Sequence, residues 1–168
     1  PHEWCPIETM SAAMNFCLTP TPSKSENTID KKIIEREKQQ KKLYGEAFVK
    51  KDLAWWKKEF QSLEQRIETT VADEKYMNIR LKNFLSLAAF SYSNSALSNG
   101  KLPEADKFLS IYKSVDPKNS EHAYLRAKYF MLINNSAEAD KALSEAADLG
   151  FSDVERLESE QLFITLHN

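Results

Sequence analysis

Glycine is scarce, with three in 168 residues, too few to build a glycine-rich phosphate loop anywhere in the chain. Cysteine is scarcer: Cys5 and Cys17 are the only two, and they lack CxxC spacing. The histidines His2, His122 and His167 lie far apart in sequence, so no pair stands at helical metal-ligand spacing. A zinc site built from His2, Cys5 and Cys17 lacks a fourth ligand of settled type. Nucleophile signatures such as GxSxG, or SxxK with its partner motifs, are missing. No apolar run approaches the ~20 residues of a membrane span. The net charge of −2 gives none of the field that nucleic acid or an anionic membrane would answer. These absences predict no catalytic residue, no cofactor and no metal, and point to a protein that is not an enzyme.

What remains is a charged, moderately apolar chain, 29% charged and 42% hydrophobic. Few runs are rich in Val, Ile or Thr, so the fold class expected is all-α. The length suffices for one domain with a real core. Charge is uneven along it: residues 29–68 hold eleven Lys/Arg against eight Asp/Glu, whereas residues 100–168 hold eight against twelve. Solvated helix faces account for this imbalance.

Between Ala89 and Phe151 the chain repeats itself. Glu104-Ala105-Asp106-Lys107 returns 34 positions later as Glu138-Ala139-Asp140-Lys141, and the same shift pairs Leu109 with Leu143, Ala89 with Ala123 and Ser93 with Ala127. A period of about 34 with small residues at fixed places resembles the tetratricopeptide repeat, a helix-turn-helix unit. The resemblance implies a right-handed solenoid of helical hairpins, in which a small residue late in the first helix faces an alanine early in the second. Ser93 with Ala105, and Ala127 with Ala139, take those places. Gly100 fits the turn between helices, and Pro117 fits the position after the second helix. In the second unit Asn134 replaces the glycine, and it tolerates a left-handed backbone nearly as well. Gly150-Phe151 replaces Asp116-Pro117, Arg126 stands where the family favours a core leucine, and Ala96 stands where it favours an aromatic.

Residues 1–28 read as an N-terminal arm and linker. Trp4, Ile7, Met10, Met14, Phe16 and Leu18 give the arm a content too apolar for a floating tail, and Glu8 to Cys17 has the composition of a short helix. Thr19-Pro20-Thr21-Pro22-Ser23 then enforces an extended link. The arm is expected to lie against the domain. Residues 29–168 form the helical repeat domain of about seven helices. Within it, 29–70 is a degenerate pair, 73–117 and 118–151 are repeats, and 152–168 is a capping helix. In the degenerate pair Trp56, Phe60, Leu63 and Ile67 share one face at spacings of four, three and four. Trp56 falls where a close helix crossing wants alanine, so this pair must pack more openly. Ser152 and Glu155 have the spacing of a capping box, opening a last helix to about Leu166.

The function implied by the resemblance is protein binding without catalysis: a curved helical surface presented to a segment of another protein. First helices would line its concave face, making Ser91, Asn94, Ser95, His122, Arg126 and Tyr129 candidate contacts. Trp55, about 100° round its helix from Trp56, is a further candidate, or else a residue covered by the arm. The alternative is an accessory subunit of a cell-envelope assembly that associates through its arm. Cys5 and Cys17 either close a loop, stabilising it by about 3 kcal/mol, or stay as thiols. The reading leans towards an exported or cell-envelope protein over a cytoplasmic one.

Overall fold

The computed structural model describes residues 31–163. The arm, its expected Glu8–Cys17 helix, the pairing of Cys5 with Cys17, and the stretch holding Leu166 and His167 lie outside the described residues. Among the described residues the protein is all-helical, with seven helices and no strand. These are α1 (Lys31–Lys50), α2 (Leu53–Thr69), α3 (Ala72–Ser98), α4 (Leu102–Val115), α5 (Ser120–Leu132), α6 (Ser136–Asp148) and α7 (Val154–Ser159).

Short polar residues set the helix starts. Asp52, Asn119, Asn135 and Asp153 each accept a backbone N–H from the first turn of α2, α5, α6 and α7, satisfying donors that have no partner inside the helix. Pro103 sits in the first turn of α4, where a missing N–H costs nothing. Three helix ends share one geometry. At the end of α3, Gly100 N–H donates to Leu97 O and Lys101 N–H to Ala96 O. At α5, Asn134 donates to Met131 O and Asn135 to Phe130 O. At α6, Gly150 donates to Ala147 O and Phe151 to Ala146 O. The residue at the bend is left-handed each time, with φ of 67° at Gly100, 57° at Asn134 and 92° at Gly150. This is the Schellman stop, which reverses the chain while satisfying carbonyls at the helix end.

These reversals fold α3 onto α4 and α5 onto α6, the two most extensive helix pairings among the described residues. All four small residues named from the sequence, Ser93, Ala105, Ala127 and Ala139, are fully buried. Between pairs, α3 lies beside both α1 and α5, α2 lies beside α3 and α4, and α4 also meets α5. The first helices α1, α3 and α5 therefore adjoin in order, and α2 adjoins α4.

The first pair is built differently. The backbones of α1 and α2 have no extended close approach; large rings hold them apart and together at once. Phe48 lies 4.5 Å from Trp56, 4.9 Å from Tyr92 and 6.4 Å from Phe108, centroid to centroid, so one α1 ring touches α2, α3 and α4. Phe48 and Trp56 are completely buried, and burial of a side chain of this size is worth roughly 1.5–3 kcal/mol. Trp56 thus joins the core, and this pair is open as its bulk requires.

The last helix departs from expectation. Asp153, not Ser152, is the N-cap, and α7 ends at Ser159 rather than continuing towards Leu166. The chain turns at Glu160, which carries Phe163 into the core against Tyr124, 5.8 Å away. Tyr124 also stacks on Phe151 at 4.6 Å and carries the Arg156 guanidinium 4.2 Å above its ring. A turn delivers Phe163 to this aromatic site.

Candidate functional site

The seven candidate contact residues do not form one cluster. Ser91 and Ser95 lie exposed on α3, and Asn94 between them is half-buried. Ser95 edges a cleft of about 510 Å³ whose wall includes Val49, Tyr92, Phe108 and Lys107. The Lys107 ammonium donates to Val49 O at 3.1 Å, tying the start of α4 to the end of α1.

Arg126 and Tyr129 form a second group on α5. The guanidinium lies 5.5 Å from the Tyr129 ring centre and reaches across to α4, pairing with Asp106 and donating to Ser110 Oγ at 3.0 Å. Arg126 therefore ties two helices together through its polar head. Tyr129, half-buried, meets Phe130 edge-on at 5.6 Å.

His122 corrects its assignment as a contact residue. It is buried, with a ring nitrogen 3.2 Å from Pro117 O and its ring edge-on to Tyr112 at 6.0 Å. The turn ending at Asn119 brings the start of α5 back over α4, and the imidazole fills the space beneath it. It presents no surface to a partner. Burial also pushes the Tyr112 hydroxyl up to about 12, with Asp116 and Glu121 adding to the shift.

Trp55 stands apart from both groups. It is half-buried, edge-on to Trp56 at 5.1 Å, with the Lys51 ammonium 5.7 Å from its ring centre. It borders a trough between α1 and α2 of about 250 Å³, with Leu43, Tyr44 and Ala47 as the apolar part of the lining. Gln40, Leu43 and Glu59 also line an adjoining hollow of about 520 Å³ that extends to α3. The trough is a direct result of the open first pair.

Sequence reading missed the polar network at this trough. Tyr44 Oη donates to Glu59 Oε1 at 2.7 Å, and the Arg66 guanidinium donates to both, at 3.1 Å to Glu59 and 3.3 Å to Tyr44. Burial raises the Tyr44 hydroxyl well above its ordinary value, and the Glu59 carboxylate adds to the effect. Tyr44 shares the buried face of α1 with Ile33, Ala47 and Phe48, but its partners sit on another helix at no fixed spacing. Likewise Glu37, on the same face of α1, is buried with two hydrogen bonds from Arg80 on α3, at 2.6 and 2.8 Å, and an ion pair with Lys41 at 2.7 Å.

No group of His, Cys, Asp and Glu able to hold a metal occurs among the described residues. No helix among them is long and apolar enough to cross a membrane. Comparison with protein-family models, with curated proteins and with solved structures gave no match.

Proposed function

We propose that the chain is a non-enzymatic interaction scaffold, a right-handed solenoid of tetratricopeptide-like hairpins presenting a curved helical face to a segment of another protein. The observation that carries this reading is the coincidence of sequence period with backbone geometry: two hairpins, related by 34 positions, reverse through the same left-handed stop. The side-by-side arrangement of α1, α3 and α5 supports it, since neighbouring first helices form a continuous face in repeat arrays. Ser91, Asn94, Ser95, Arg126 and Tyr129 are the proposed contacts on that face. Serine, asparagine, tyrosine and arginine combine adaptable hydrogen bonding with flat apolar area, as a peptide-binding surface requires.

The test is affinity capture by the full chain from extracts of its own source organism, comparing the natural protein with Ser91→Arg/Ser95→Arg and with Tyr129→Ala. Both serines are exposed, so the arginines can be accommodated without repacking the core. A partner recovered by the natural chain should fall at least tenfold with the double variant while the melting temperature holds. Recovery unchanged by every substitution overturns the reading.

A further inference from the structure

The two ends of the helix array are finished differently. At the C-terminal end Tyr124 is completely buried under Phe151, Arg156 and Phe163. At the other end the trough between α1 and α2 leaves Leu43 58% exposed and Trp55 half-exposed. An array of packed helices needs a cover at each end, because the outermost pair otherwise shows water the face that inner pairs bury. We propose that residues 4–18 of this same chain dock along the α1–α2 trough and close that end.

Reach, chemistry and charge agree on this occupant. Residues 19–30 join the segment to the start of α1; twelve residues span up to about 40 Å when extended. Leu43 lies twelve residues up α1 from Lys31, about 18 Å along the axis, well within that reach. Trp4, Ile7, Met10, Met14, Phe16 and Leu18 supply apolar side chains in number, and Leu43 and Trp55, above the buried Ala47, are the apolar surface left for them. The segment carries Glu8, with Glu3 just ahead of it, and neither Lys nor Arg, whereas Lys51, Lys57 and Lys58 cluster where α1 ends and α2 begins. Glu46 and Glu59 at the trough are already neutralised, the first by Lys50 at 3.0 Å and the second by Arg66 at 3.1 Å. An apolar segment that brings one carboxylate and no cation therefore meets a trough with a basic end. Nothing in this depends on whether the curved face binds a partner.

Paramagnetic broadening in the full chain tests it. With Cys5→Ser, a nitroxide on Cys17 should remove at least half the amide signal intensity of Leu43 and Ala47, and of the Trp55 indole. The α6 signals of Ala139 and Ala142 should stay intact. Adding Ile7→Asp should restore the lost signals. The reciprocal chain, Cys17→Ser with the label on Cys5, supplies the same readout should the first fold poorly. Mixing isotope-labelled chain without nitroxide and nitroxide-bearing chain without isotope should leave all signals unchanged. Loss in that mixture assigns the trough to a second copy and overturns the proposal. So does broadening elsewhere, or none at α1 and α2, which leaves the trough to an outside partner.

Discussion

Gly100 and Asn134 occupy the same backbone state 34 positions apart, with φ of 67° and 57° and the same pair of closing hydrogen bonds. A left-handed backbone costs an ordinary L-residue roughly 1–2 kcal/mol, less for asparagine and nothing for glycine. A Cβ at Gly100 would meet no atom within 4 Å, so backbone conformation alone sets the price of substitution there. Gly100→Asn should be nearly neutral. Gly100→Ala and Asn134→Ala should each cost about 1 kcal/mol, lowering the melting temperature by about 3 °C. Equal melting temperatures for asparagine and alanine at both positions would dissolve the equivalence of the two turns.

Ser93 and Ala127 are related by the same shift and are both fully buried, but the Ser93 hydroxyl meets no hydrogen-bonding partner among the described residues. An unpaired buried hydroxyl costs about 1–3 kcal/mol, and replacing it with a group of like shape removes that cost. Ser93→Ala should therefore stabilise the protein by about 1 kcal/mol in urea unfolding, with the slope unchanged. Ser93→Leu should destabilise it by more than about 2 kcal/mol, because α3 and α4 leave no room. Stabilisation by leucine would show that the crossing is loose.

The repeat was legible because its signals are local. Alanine at a crossing, a left-handed residue at a turn and proline in a first turn each act within a few positions, so the sequence reports them directly. Trp56 was legible for a related reason, its spacing to Phe60, Leu63 and Ile67. Three features were not. Glu37, one charge among many in α1, looks solvated, but its burial depends on Arg80, 43 residues away. The imidazole of His122 looks like a surface group until the Asn119 turn brings it over Tyr112. The end of α7 at Ser159 follows from the demand of Tyr124 for Phe163, a contact that helical periodicity cannot register. In each case a partner on another turn or helix, outside the residue's own periodicity, decides.

Glu37 makes stability depend on acid. Its hydrogen bonds from Arg80, with further help from Lys41, hold the carboxyl below its ordinary 4.5 in spite of burial. A carboxylate depressed in the folded state contributes stability that is complete above the unfolded value and is lost as pH falls through the folded one. The natural protein should lose stability between neutral pH and the region below pH 4.5, and Glu37→Gln should flatten part of that decline. Because Arg80 is well exposed, water screens the pair. The variant should cost only about 1 kcal/mol at pH 7. Parallel pH profiles for the two proteins in chemical unfolding would remove Glu37 from the acid limb.

Arg156 joins the short α7 to α5 in two ways at once. It lies 4.2 Å above the Tyr124 ring, and its Nη1 donates to both oxygens of Glu121 at 2.8 and 3.0 Å. Stacking on a partly desolvated ring is worth about 0.5–2 kcal/mol, and lysine keeps the charge while losing the flat face and the fork. Arg156→Lys should therefore recover less than half of the stability that Arg156→Ala loses, the latter about 1–2 kcal/mol. Phe163→Ala removes a buried ring from the same site and should cost about 3 kcal/mol. The double variant separates two arrangements. If both side chains close one aromatic lid over Tyr124, the double cost falls short of the sum by at least 0.5 kcal/mol. If the costs add, Arg156 and Phe163 hold Tyr124 independently, and the C-terminal cover is two separate contacts.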